Sequence, residues 1–201
     1  MNARALILAR IAESSVAPVI ASPRNYRGIV GPGDPDLFAQ RLHDYGARIH
    51  RLPQSDLVRQ IQSSLAAKGV KNVVVPAGFP VDWLTDITAE VVRDQPPLSN
   101  AQLDALDGVV TTCSVAIAET GTIVLTHSLG QGRRALTLLP DYHLVVVLEH
   151  QIVFGVPDAV AQVDESTPST WISGPSATSD IELKRVEGVH GPRHLEVLVV
   201  A

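Results

Sequence analysis

The sequence predicts an α/β protein with a mostly parallel central sheet covered by helices on both sides. Two observations carry this. Helix-like and strand-like stretches alternate from residue 36 onward, and the strand-like runs, such as Val73-Val74-Val75 and Leu144-Val145-Val146-Val147-Leu148, have no polar face. Hydrophobic residues make up 45% of the chain and charged residues 18%, which supplies enough apolar surface for a sheet buried on both faces. With 201 residues, one domain spanning 1–201 is expected.

The elements follow in order. Residues 2–14 place Leu6, Ile7, Arg10 and Ile11 on one face of an amphipathic helix. Residues 17–35 collect four prolines and three glycines and read as a loop or arm. Gly31-Pro32-Gly33 within it is no dinucleotide fingerprint, because no strand leads into it. A helix over 36–45 stops at Gly46, and a short strand fills 47–52. Pro53-Gln54-Ser55 opens the next helix, which Gly69 closes before a strand over 71–75. Residues 83–92 read as a helix, and Ser99-Asn100 opens another that ends at Gly108.

The middle of the chain changes character. Val115-Ala116-Ile117-Ala118 and Ile123-Val124-Leu125-Thr126 flank Glu119-Thr120-Gly121-Thr122, the pattern of two strands around a tight glycine turn. Residues 130–134 form a flexible basic link, and the apolar run 144–148 is the strand expected at the centre of the sheet. A helix over 157–163, a strand over 171–173 and a last strand over 195–200 complete the chain.

Composition excludes several functions. A net charge of -5 without a cluster of Lys and Arg argues against nucleic acid. No apolar run approaches the roughly 20 residues of a membrane-spanning helix, and no secretory leader opens the chain, so a cytoplasmic location is expected. Cys113 is the only cysteine, so an internal disulfide and a self-contained iron–sulfur cluster are both excluded; any such cofactor belongs to a partner.

Chemistry concentrates on three loops expected to face one cleft. The first is Gly174-Pro175-Ser176-Ala177-Thr178, followed by Ser179-Asp180-Ile181-Glu182, which fits a capping box at the start of a short helix over 181–187. The positive end of that helix would favour an anion, with Ser176 and Thr178 as hydroxyl donors; alternatively, the polar residues only cap the helix. The second loop, Gly188-Val189-His190-Gly191-Pro192-Arg193, brings an imidazole and a guanidinium onto a glycine-bracketed turn. His190 is read as a hydrogen-bonding or acid–base group, since neither cysteine nor carboxylate supports a metal pair with His194. The third is the turn with Glu119, Thr120, Gly121 and Thr122. Partial burial raises a carboxyl's pKa, which makes Glu119 the candidate base or nucleophile; the alternative is that it bonds the amides of its own turn. His143, just before the central strand, is either a polar group at a strand end or a structural histidine. Ser176 lacks the strand–Gly-x-Ser-x-Gly–helix setting of a nucleophile elbow.

Four motifs in one order, Ile117-Ala118-Glu119-Thr120-Gly121-Thr122, Leu139-Pro140 with His143, Gly174-Pro175-Ser176 with Thr178-Ser179-Asp180-Ile181-Glu182, and Gly188-Val189-His190-Gly191-Pro192, resemble the lactate utilization protein C family, or LUD domain. The likeness is close over 108–200 and general before it. It implies a three-layer α/β/α fold similar to the sugar-phosphate isomerase and CoA-transferase group. It also implies a part in oxidising L-lactate to pyruvate beside partners that carry iron–sulfur clusters.

Three functions compete. The first is a non-redox subunit of lactate oxidation that binds a small anion through Thr120, Gly121, Thr122, His143, Gly174, Ser176, Thr178, Gly191 and Arg193. The second is a transferase or isomerase acting on an acyl-CoA or a phosphorylated small molecule, with Glu119 as the reacting group and His190 assisting. The third is an assembly scaffold, which predicts an exposed apolar patch.

Overall fold

The computed structural model describes residues 2–14, 26–178, 186–187 and 190–201. Helix α1 (Ala3–Ser14) leaves Leu6, Ile7, Leu8 and Ile11 exposed. Of the expected arm, residues 26–34 are held by backbone bonds rather than by burial. Gly33 N–H donates to the Ile152 carbonyl, Phe154 N–H donates to the Gly31 carbonyl, and the Asp158 carboxylate accepts from the amides of Val30 and Gly31.

Helix α2 (Pro35–Asp44) begins where Asp34 accepts from Asp36 N–H and proline takes the first turn, and it buries Phe38 and Leu42 four residues apart. Strand β1 (Arg48–Leu52) leads through a 3₁₀ turn, Gln54–Asp56, into α3 (Leu57–Ala67), whose buried stripe is Leu57, Ile61 and Leu65. Strand β2 (Asn72–Val75) follows. The helix expected over 83–92 is absent. Pro80 introduces a 3₁₀ turn at Val81–Leu84, and the β-branched pair Val91-Val92 extends into strand β3 (Glu90–Arg93), which pairs with β2. Helix α4 (Asn100–Asp104) carries a capping box between Ser99 and Gln102, and Gly108, expected to end a helix, is instead the first residue of β4 (Gly108–Thr111).

The expected hairpin forms from β5 (Val115–Ile117) and β6 (Thr122–Leu125), with Gly121 at φ 60. After a 3₁₀ turn at Arg134–Thr137 comes β7 (Tyr142–Leu148), then β8 (Ile152–Val153), α5 (Val156–Val160) and β9 (Thr170–Ile172). Strands β10 (Ala177–Thr178) and β11 (Val186–Glu187) pair antiparallel, and β12 (His194–Val200) ends the fold. The short helix expected over 181–187 therefore does not reach Val186–Glu187. The capping box at 179–182, like Gly188 and Val189, lies outside the described residues.

Six strands form one sheet in the order β1-β12-β7-β4-β2-β3, every neighbouring pair parallel, with helices around it in the three-layer α/β/α arrangement. One face packs Tyr142, Leu144, Val146, Leu198 and Val200 against α3. The other packs Val145, Val147, Leu195, Val197 and Val199 against Phe38 and Leu42 of α2 and against a second, four-stranded sheet, β8-β5-β6-β9. That second sheet is a feature the sequence analysis did not anticipate as a separate layer.

Gly121 explains its own presence. A Cβ there would lie 2.8 Å from the Arg41 Cβ and 2.9 Å from the Leu42 amide nitrogen, so only glycine lets the turn abut α2. Gly121→Ala should lower stability by about 2–4 kcal/mol, from the left-handed backbone and the clash together, read as a lower urea midpoint at unchanged slope.

Candidate functional site

A cleft of about 190 Å³ opens beside the first residues of β7 and β12. His143 and Leu195, each the second residue of its strand and paired in register, sit at its base. One wall is the segment after β9, with Ser173, Gly174 and Ser176; the opposite wall is His190-Gly191-Pro192. The two loops are stitched together: Ser176 N–H donates to the Pro192 carbonyl at 2.8 Å, and His190 N–H donates to Ser176 Oγ at 3.2 Å. Gly174 and Gly191 both have positive φ, at 125° and 152°. At Gly174 the Tyr45 Cβ would be 2.8 Å from an added Cβ, so close packing demands glycine there.

Arg134 and Thr137 of the 3₁₀ turn and Thr170 and Trp171 of β9 also line it, together with Leu138, Ile172 and Pro175. No local pattern in the sequence marked Arg134, Thr137, Thr170, Trp171 or Ser173 as residues of the cleft. Arg134 was legible only as part of a basic link; the 3₁₀ turn is what brings it to the cleft. Among the described residues of the lining the ionisable side chains are Arg134, His143 and His190, and none of these is a carboxylate. The electrostatics therefore suit an anion.

His143 is 1% exposed, and its Nε2 lies 2.8 Å from Thr111 Oγ1. Burial pushes its pKa down to about 3, so the ring is neutral at physiological pH. Arg193 stands just outside the cleft. Its guanidinium makes two bonds to the Asp141 carboxylate, at 2.8 and 2.6 Å, and holds that carboxyl below the usual range.

The third loop joins the cleft only indirectly. Thr120 Oγ1 meets Thr122 Oγ1 at 2.7 Å, and Thr122 Oγ1 meets Ser173 Oγ at 2.8 Å, so a row of hydroxyls runs from the hairpin turn to the wall. Glu119 is not among the lining residues. Its carboxylate accepts from Arg27 Nη2 at 2.5 Å, and the Arg27 guanidinium stacks over Phe154, 5.4 Å from the ring centroid. The structure thus gathers His143, Gly174, Ser176, His190 and Gly191, links Thr120 and Thr122 to them, and leaves Glu119, Gly121 and Arg193 outside. Thr178 is paired in β10, before the residues not described.

The family model of the LUD domain matches residues 36–200. The chain belongs to the LUD domain family. It is similar to lactate utilization protein C of Deinococcus radiodurans, 53% identical over 167 residues, which cover 81% of this chain and 77% of that protein. A protein of the same name from Shouchella clausii is 35% identical over 106 residues, 49% of this chain and 46% of its own length. Among solved structures, a DUF162 family protein from Deinococcus radiodurans matches with a TM-score of 0.69 and 44% identity, covering 83% of this chain and 95% of that one. The LUD match begins at Asp36, so α1 and residues 26–34 precede it.

His143 also makes stability pH-dependent. Its folded pKa is depressed below the value of about 6.5 for an unfolded histidine, so the unfolded chain binds the extra proton first on acidification. Its contribution is fully present above that value and falls by up to about 1.4 kcal/mol per pH unit between roughly pH 6.5 and 3. Urea denaturation at stepped pH should show this slope, and His143→Asn should flatten it.

Proposed function

We propose that this LUD protein is a non-redox subunit of an L-lactate oxidation system, and that its cleft binds a small hydroxy- or oxo-carboxylate. The carrying observation is the lining, which among the described residues holds one guanidinium, two imidazoles and four hydroxyls and no acidic side chain. The volume, about 190 Å³, is below the roughly 300–1,000 Å³ of sites for drug-sized ligands and suits a three-carbon acid. Arg134 supplies the charge partner for the carboxylate, and the Ser176 hydroxyl, which accepts from His190 N–H, and the Gly174 and Gly191 amides supply neutral donors. The names of the Deinococcus and Shouchella relatives support lactate as the metabolic context.

Electrons must travel elsewhere. Cys113, the one cysteine, is buried and its thiol is pushed up to about 12, whereas an iron–sulfur cluster takes several thiolates. Iron–sulfur partner subunits are accordingly part of the proposal. The transferase or isomerase alternative draws less support, because Glu119 pairs with Arg27 and does not line the cleft.

One observation favours assembly as a second role of the same chain. Helix α1 exposes Leu6, Ile7, Leu8 and Ile11 at 43–58%, an apolar surface of the kind that marks an interaction site. Deleting residues 1–14 should abolish co-purification with the iron–sulfur subunits while ligand binding survives; undiminished co-purification removes this second role.

Calorimetric titration with L-lactate and pyruvate should give saturable binding that Arg134→Gln weakens about tenfold or more, as loss of a charged hydrogen bond does. Silence with both acids, together with normal growth on lactate of a strain deleted for this protein, overturns the function proposed.

A further inference from the structure

We infer that the cleft takes 2-hydroxy or 2-oxo acids with an aliphatic substituent larger than a methyl group, which Leu138 and Trp171 cover at its rim. The inference rests on the carboxylate-binding cleft proposed above and names the side chain of the acid it holds.

Charge and apolar surface reach the cleft from one piece of chain. The 3₁₀ turn Arg134–Thr137 delivers an exposed guanidinium from its first residue, and Leu138, which closes the turn, follows with a side chain 38% exposed. Strand β9 adds Trp171, 40% exposed. Among the large apolar side chains exposed in the described residues, these two are the ones that line the cleft. A single exposed leucine or tryptophan calls for no explanation, but two on the lining of one recess, beside a cation, mark a surface that a ligand covers.

The surroundings fix what the two side chains offer. Trp171 Nε1–H donates to Ser169 Oγ at 3.0 Å, so the one polar hydrogen of the indole is engaged and its remaining surface is apolar. Leu138 lies against the stitched loops: its Cδ1 would be 4.0 Å from a Cβ on Gly191, and the Ser176 Cβ would be 3.6 Å from the same point. Leu195 and Ile172, also in the lining, belong to the core cluster on that face of the large sheet. The apolar part of the lining is thus continuous with the packed core.

A ligand that fits such a lining is amphiphilic. Its carboxylate meets Arg134, and its substituent removes Leu138 and Trp171 from water. The methyl group of lactate is the smallest such substituent and covers least, whereas each further methylene buried there should tighten binding about fourfold.

Calorimetric titration of the full chain with L-lactate, L-2-hydroxybutyrate and L-2-hydroxyisocaproate tests the inference. Affinity should rise in that order, by about threefold to fourfold for the first added methylene and by about tenfold or more for the isobutyl side chain. Trp171→Ala and, on a different element, Leu138→Asn should each lower the ratio between the longest and the shortest acid by about threefold or more. Arg134→Gln should weaken all three acids alike and keep the ratio, which separates the apolar contact from the charge. Equal or falling affinity along the series, or a rise that both apolar variants leave intact, overturns the substituent and leaves a carboxylate site standing. If none of the three acids binds the wild-type protein, the carboxylate site itself falls, and the inference with it.

Discussion

Insertion of the C-terminal strand between β1 and β7 is the contact on which the rest of the molecule depends. Among the described residues, strand β1 pairs in the large sheet with β12 alone, so removing β12 detaches it from the other four strands. The two faces of β12 do different work because side chains alternate along a strand. Leu195 turns to the cleft, whereas Glu196 turns to α3. There its buried carboxylate accepts from Ser64 Oγ at 2.5 Å and from the Tyr142 hydroxyl at 3.2 Å, and lies 3.0 Å from His50 Nε2 and 3.6 Å from Arg48 Nη1. A buried carboxylate is tolerable only when so surrounded, and the arrangement ties α3, β1 and β7 to one residue of β12. Burial and the neighbouring Glu196 both push the Tyr142 phenol upward, so it remains a donor.

The cleft inherits its rigidity from that arrangement. The Arg193–Asp141 clamp joins the residue before β12 to the residue before β7, fixing where both strands begin. His190-Gly191-Pro192 therefore enters the cleft from an anchored strand and not from a free loop. Its two backbone-linked contacts to Ser176 then fix the opposite wall.

Local chemistry made much of the fold legible in the sequence. Helix α2 shows a capping aspartate and a proline at its first turn, and both α2 and α3 show apolar residues four apart and a closing glycine. Residues 83–92 misled because Ala89, Val91 and Val92 fit either a helix or a strand, and pairing with β2 decided for the strand. The second sheet was half legible: its hairpin is local, but β8 is two residues long and joins β5 from far along the chain. For the site, the glycine signal divides: Gly174 stands where another segment comes close, with the Tyr45 Cβ 2.8 Å from an added Cβ, whereas Gly191 has only ordinary contacts, the nearest 3.6 Å away at the Ser176 Cβ. The same signal at 120–122 arises from contact with α2, which is why the acidic residue beside it does not share the cleft.

The cleft lies at the beginning of β7 and β12, whereas ligands of open parallel sheets usually sit beyond the carboxyl ends of the strands. The fold gives a physical reason. Beyond the carboxyl ends of β2 and β4, the loop after β6 lays Gly130 between the two strands: its N–H donates to the Ala77 carbonyl, and its own carbonyl accepts from Thr112 N–H. Gln131, buried with its amide bonded to Ser114 and to the Thr126 backbone, locks that loop in place. Gly132 packs against Pro76 so closely that a Cβ would sit 2.7 Å from the proline ring. The chain thus narrows the usual crevice between these strands without filling it, and recesses of about 350 and 380 Å³ remain at the carboxyl ends. The first has no ionisable side chain in its described lining, and in the second Arg133 is already paired with Asp94, whereas Arg134, His143 and His190 line the cleft at the opposite edge.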